Sequence, residues 1–289
     1  MARFAVRCLS DPSTFPSLRP SGPSEQWQED WVEILGVRIR RWNLEQTTQV
    51  VEQAILRGQQ TYAVFVNAFN IHEARSDSDY RKALNNADFP MPDGVPLVWA
   101  SHMLGRPVGG RVCGPDFLVR MNQRAAEKGF TVYVLCGGDK KAERTAVAFR
   151  ALHPKLKVIG AFTPPLGPIE GKLNKDLLND IARLRPDILW VGLGAPLQER
   201  WIWHNREHIQ ARFTAAVGGA FDYHIGMRKR APAWMQKWCL ETVCRVAQDP
   251  SLFWKKQHYR DFHDFVLPLT WQVLKQKFGS DESRPTVAS

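Results

Sequence analysis

The 289-residue sequence has only five cysteines. They fall at 8, 113, 136, 239 and 244 with no C-x-x-C pair and no disulfide-like spacing, which argues against an oxidised scaffold and for buried thiols in a reducing cytoplasm. Also missing is any run of about 18 uninterrupted apolar residues, the length a membrane-spanning helix requires. The sequence contains no G-x-S-x-G, no Walker A loop and no H-E-x-x-H. Acid is scarce relative to base: 39 Lys and Arg face 29 Asp and Glu, for a formal charge of +10. That balance points to anionic partners and does not choose among nucleic acid, nucleotide phosphate and acidic lipid.

From Trp27 onward, short apolar runs alternate with amphipathic ones, the pattern of an α/β chain with a mostly parallel sheet. Strands are predicted at Thr61–Val66, Thr131–Cys136, Lys157–Ala161, Asp187–Gly192 and Phe213–Val217, with a short buried one ending at Pro92. Helices are predicted at Leu44–Arg57, Val95–Leu104, Pro115–Lys128, Lys140–Leu152, Asn174–Leu184 and Gln198–Gln210. After Gly226 the character changes. Between Met227 and Arg260, eight Lys or Arg stand against two acids, interleaved with Trp234, Trp238, Phe253, Trp254 and Tyr259. The organisation expected is a disordered leader over 1–26, an α/β domain over 27–226, a basic aromatic helical appendage over 227–278 and a disordered tail over 279–289. The appendage reads equally as a packed helix pair or as an interfacial element whose rings and cations meet anionic lipid.

Polar residues stand where strands hand over to helices, the edge at which open parallel sheets bind ligands. In "MPDGVPLVWA", Asp93 is a lone carboxylate suited to proton transfer, although from pattern alone a helix cap is the commoner role. Asn67 ends "VFVN", where a turn former is the plain alternative. Arg111 lies between glycine-rich turns before a helix, and its guanidinium suits a planar anion. Gly137 and Gly138 join a strand to a helix start, an arrangement that leaves N–H groups for an anion. Gly192 and Gly194 lack the third glycine of a dinucleotide fingerprint, and Gln198 and Glu199 open the next helix instead. His204 and His208 have helical spacing without a third metal ligand. Asp77 and Asp79 spell D-x-D but fall between two helical stretches, which favours capping over a cation site.

Taken together, "DSDYRKALNNADFPMPDGVPLVWASHMLG", "RVCGPDF", "PDILWVGLGAPLQERWI", "VGGAFDYHIG", "RAPAWMQ" and "LETVCRVAQDP" resemble the WecG/TagA/CpsF family of bacterial glycosyltransferases, over roughly Phe65 to Tyr259. The resemblance implies a Rossmann-like fold and inverting transfer of a sugar from a UDP-sugar to a polyprenyl diphosphate-linked acceptor, without a metal or other cofactor. It places the family's general base on Asp93 and its substrate-binding residues on Asn67, Arg111, Gln198 and Asp222. The Gly137–Gly138 pair joins these as an anion cradle. The family carries Thr where this chain has Phe65. Of three appendage arginines expected to neutralise diphosphate, the first falls on Arg245, the second on Leu252 and the third on Lys255, which supplies charge without a fork. The expected location is the cytoplasmic face of the cell membrane, peripherally bound through an anionic surface, with no nucleic acid partner. The appendage could be masked in a homo-oligomer and exposed at the membrane. Two rival readings are a nucleic-acid-binding protein, on the strength of the basic aromatic appendage, and a non-catalytic scaffold of polysaccharide assembly.

Overall fold

A computed structural model describes residues 30–232 and 267–279, together with Met235, Cys244 and Ala247. The leader over 1–26, most of the appendage including Arg245, Leu252 and Lys255, and the tail after Gly279 lie outside the described residues.

The described chain opens with a hairpin, β1 (Trp31–Ile34) and β2 (Val37–Arg40), which the sequence reading does not contain. Its turn is Leu35-Gly36, both at positive φ (49° and 84°). Two-residue hairpin turns demand that backbone, but Asn-Gly or Asp-Gly is the usual way to supply it, so a leucine there conceals the turn.

The main body is a six-stranded parallel sheet in the order β4-β3-β8-β7-β5-β6. Its strands are β3 (Thr61–Val66), β4 (Phe89–Pro92), β5 (Thr131–Cys136), β6 (Lys157–Phe162), β7 (Ile188–Gly192) and β8 (Phe213–Ala216). The helices before the last crossover are α1 (Leu44–Leu56), α2 (Ala68–Ser76), α3 (Ser78–Asn85), α4 (Val95–Met103), α5 (Gly114–Lys128), α6 (Lys141–Leu152), α7 (Gly171–Leu184) and α8 (Leu197–Asn205). A 3-10 turn (Gly218–Ala220), the short α9 (Phe221–His224) and the C-terminal α10 (Leu267–Gly279) complete the described chain. Helix α8 stops at Asn205, short of the expected Gln210, because the Asn205 amide bonds back to the Trp201 carbonyl at 2.8 Å.

Strand periodicity sorts the core into two faces. Tyr62, Val64, Val66, Leu135, Leu189 and Val191 point to one face, which is covered by the hairpin, α2, α3, α4, α7, α8 and α10. Ala63, Phe65, Val134, Ile188 and Trp190 point to the other, under α1, α5 and α6. The result is the three-layer, Rossmann-like α/β fold expected from the alternation. Edge strand β6 shows one local accommodation: Tyr133 lies flat over Gly160, where an added Cβ would stand 2.3 Å from the ring. The strand register shifts at the same place, between Val132 and Tyr133.

Helix α10 closes back on the start of the chain. The Gln276 amide accepts from Leu35 N and donates to Glu33 O, both at 3.0 Å, and Val273 is fully buried against the same core that α4 joins.

Candidate active site

Because all six strands run parallel, the residues that follow them share one edge of the sheet. Along that edge, in sheet order, come Asp93 after β4, Asn67 after β3, Gly218 after β8, Gly192 closing β7 and Gly137 after β5. Strands are about 4.8 Å apart, so Asp93 and Gly137 are separated by ~19 Å. The chain leaves β5 toward β6 and leaves β7 toward β8, in opposite directions, and the crevice so opened lies beside Gly137 and Gly192. The residues singled out from the sequence therefore form two groups on one edge.

The first group is built around Asp93. Its N–H donates to Val66 O at 2.7 Å, extending the β3–β4 pairing by one residue, and its side chain is only partly exposed. It does not cap α4: the N-cap is Gly94, at φ 151°, and no side chain caps that helix. Arg111 approaches with Nε 3.7 Å from Asp93 Oδ1. The loop carrying Arg111 is fixed by Val112 N to Pro92 O (2.8 Å) and Gly109 N to Arg41 O (2.7 Å). A Cβ at Gly109 would sit 2.9 Å from Asn43 N and 3.0 Å from Arg41 O, so only glycine lets the loop lie this close. Asn67 is the N-cap of α2. Its Oδ1 accepts from Asn70 N at 3.2 Å and its own N–H donates to Asn70 Oδ1 at 2.8 Å, a cap that uses the amide oxygen and not the amino group.

Three residues join this group that the sequence reading does not single out. Cys113 Sγ donates to Asp116 Oδ2 at 2.9 Å, and Arg230, from the start of the appendage, pairs with Asp116 and reaches Cys113 Sγ at 3.3 Å. Burial, reinforced by the Asp93 charge, pushes the Cys113 thiol up to about 12, so it serves as a neutral donor. Burial works to raise the Asp116 carboxyl as well, but hydrogen bonds from Arg230 and Cys113 outweigh it and hold the group below its usual range. Asp116 lies within "RVCGPDF", where an acid in a helix's first turn reads as dipole complementarity. Arg230 carries no local signal at all, standing 114 residues away.

The second group gathers at β5, β7 and β8. Gly137 gives its N–H to Gly192 O at 3.3 Å, continuing the sheet, so that donor is engaged rather than turned toward a ligand as the sequence suggested. Gly138 adopts φ 119° and leads into α6. Asp222, buried on α9, forms an ion pair with Lys141 on α6, and Arg228 Nε lies 3.6 Å from its other oxygen. Lys141 is thus a second cation that the sequence reading passes over.

Between the groups stands Gln198, which is 4% exposed. Its Oε1 accepts from Gly218 N at 2.9 Å and its Nε2 donates to Glu199 Oε1 at 2.8 Å. Glu199 is fully enclosed, and its Oε2 has no hydrogen-bond partner among the described residues. Burial pushes the Glu199 carboxyl up to about 7, against the opposing pull of Gln198 and of the neighbouring Tyr80 hydroxyl. Tyr80 lies beside the carboxyl without closing a hydrogen bond of normal geometry to Oε2.

The two signals set aside as metal sites take structural places. Asp77 caps α3, its Oδ1 accepting from Tyr80 N at 2.8 Å, and it pairs with Arg200. His204 Nε2 lies 3.1 Å from Asp79 Oδ2. Among the described residues no group of three or more His, Cys, Asp or Glu is placed to hold a metal ion. Nor, among them, is any helix long and apolar enough to cross a membrane.

Comparison with known proteins agrees with this architecture. The glycosyl transferase WecG/TagA/CpsF family model matches residues 32–280. The chain is similar to an N-acetylglucosaminyldiphosphoundecaprenol N-acetyl-beta-D-mannosaminyltransferase of Bacillus spizizenii, with 27% identity over 179 residues, 62% of this chain and 68% of the relative. It is also similar to the protein of that name from Staphylococcus aureus strain MRSA252, with 25% identity over 228 residues, 78% of this chain and 86% of the relative.

Proposed function

The chain belongs to the WecG/TagA/CpsF family of glycosyl transferases, and from that premise we propose that it moves a hexosyl group from a UDP-sugar to a polyprenyl diphosphate-linked glycan, with inversion at the anomeric carbon. The observation that carries this reading is Asp93: a carboxylate one residue beyond a strand, released from capping and set against a guanidinium at 3.7 Å.

In the proposed reaction the acceptor hydroxyl gives its proton to Asp93 as its oxygen attacks the anomeric carbon. The bond from that carbon to the donor diphosphate breaks in the same displacement, and UDP leaves with the electron pair. Arg111 holds Asp93 in place and offers charge to the anionic side of the reaction. Asn67, Gln198 and Asp222 are assigned to substrate binding, and Arg245 and Lys255 to the diphosphate. No metal is assigned, because cations of the chain meet the charge on the leaving group.

The two relatives' names specify a lipid diphosphate acceptor, which supports work at a membrane surface, and we assign it to the cytoplasmic face. Trp99 on α4 and Trp271 on α10, 54% and 62% exposed, support peripheral contact there, since indole rings favour headgroup depth. Lys275 stands over the Trp271 ring at 5.5 Å, within reach of anionic lipid.

A panel of UDP-hexoses and UDP-N-acetylhexosamines, offered with polyprenyl diphosphate-N-acetylglucosamine, tests the reading through UDP release and product mass. One donor giving product of inverted configuration is expected. Silence across the panel, or product that retains configuration, overturns it.

A further inference from the structure

A row of buried polar side chains crosses the core beneath the strand edge, and the reaction described above leaves most of it unused. Asn70, Tyr80 and Glu199 are 2%, 0% and 1% exposed. Such groups are costly to bury unless they are satisfied, so their presence among apolar neighbours calls for a physical reason.

The row has a direction. At one end Asn67 and Asn70 exchange hydrogen bonds, and Asn70 Nδ2 donates to the Tyr80 hydroxyl at 2.6 Å. Beyond that bond, the Tyr80 hydroxyl lies beside the Glu199 carboxyl. From the other end Gly218 N donates to Gln198 Oε1, and Gln198 Nε2 donates to Glu199 Oε1. The second half ends on the Glu199 carboxyl, whose Oε1 is an acceptor whether or not Oε2 carries a proton, and the first half stops beside it.

An amide such as Gln198 can be flipped to present oxygen or nitrogen to either side. Here an acceptor at Glu199 and a donor at Gly218 select one orientation. The same two contacts hold the turn after β8, where Gly218 sits at φ 55°, two strand spacings from Asp93. The α2 cap at Asn67 is held through Asn70 by Tyr80, which packs beside that anchor.

We infer that Glu199 is a positioning residue: it fixes the Gln198 amide and the Gly218 turn, and it backs the Tyr80 hydroxyl that holds Asn67 through Asn70, so that the ends of β3 and β8 keep one geometry toward substrate. This rests on the transferase reading for its consequence in turnover, but the mechanical link stands apart from it.

Two measurements on the full chain separate those parts. Hydrogen exchange reads the link. Glu199→Met, which removes the acceptor, should speed exchange by about tenfold in peptides covering 67–71 and 217–220, whereas Glu199→Gln, which keeps an oxygen for Gln198, should leave 217–220 near the wild type. Unchanged exchange in both peptides of a folded Glu199→Met protein overturns the inference. Kinetics read the consequence, with whichever UDP-sugar the wild type uses. Glu199→Met should lower kcat/KM for donor by about tenfold or more, Glu199→Gln should restore most of it, and Glu199→Met on a Gln198→Ala background should cost little further. Full additivity would mean that Glu199 does not act through Gln198. Should Glu199→Met fail to fold, Tyr80→Phe carries the exchange test at 67–71 by deleting a single hydroxyl. A wild type that turns over no donor yet shows the exchange response would sink the transferase reading and keep the link.

Discussion

Nε of Arg111 lies 3.7 Å from Oδ1 of Asp93, although one residue leads into α5 and the other follows β4. The approach depends on the Gly109 loop lying against Arg41–Asn43, and the acid is partly buried, with Gly94 and not Asp93 at the N-cap of α4. Asp93→Asn should therefore lower kcat by about a hundredfold or more, the usual cost of losing a general base, while the donor KM changes little. Because the ion pair is partly solvated and the Asp93 side chain does not cap α4, thermal stability should move by no more than ~1 kcal/mol. Steady-state kinetics with calorimetry checks both parts.

Arg111 admits a graded test. Arg111→Ala removes charge and fork together, whereas Arg111→Lys returns a point charge without planar, paired donors. We expect the lysine variant to recover part of the kcat/KM lost by the alanine variant and to fall well short of the wild type. Equal activity of the two would mean that charge at this position is immaterial.

Glu199 gives stability a pH signature. Its folded-state carboxyl is raised by burial from 4.5 to about 7, with Gln198 and Tyr80 opposing. Between those values the folded protein binds more protons than the unfolded chain, so this contribution is fully present below about 4.5 and is lost as pH rises through about 7. The melting temperature of the wild type minus that of Glu199→Gln should accordingly shrink from pH 4.5 to 8. Asp88, raised by burial to about 6, is common to both proteins and cancels from the difference. A flat difference would show that Glu199 does not titrate in this window.

Gly160→Ala should destabilise the fold and spare the chemistry. The new methyl would meet the Tyr133 ring at 2.3 Å, and overpacking of this kind costs about 1–3 kcal/mol. Chemical denaturation should show the loss, with kcat unchanged for the molecules that remain folded.

The sheet was legible because its strands are continuous apolar runs closed by turn residues. Thr61–Val66 and Thr131–Cys136 coincide with the observed strands, and Pro92 ends β4 as expected. A parallel sheet then places Asn67 and Asp93 on one edge, so their closeness could be anticipated from the ends of their strands. The hairpin was not legible, since Leu35 supplies a backbone conformation that leucine rarely adopts. Nor were Arg230 beside Asp116 or Glu199 beside Tyr80, pairs that local patterning cannot register because they are made by folding. Gly137 shows the opposite hazard: its sequence context suggested an open N–H, and β7 takes it.

Helix α10 and Arg230 carry one more consequence. Arg230 is bound to Asp116 beside Asp93, and α10 is docked beside α4, the helix that leaves Asp93. Two clamps of this kind around one acid join the fate of the chain's last described helix to that of α4, so fraying of α10 would loosen the segment that leaves Asp93 as well.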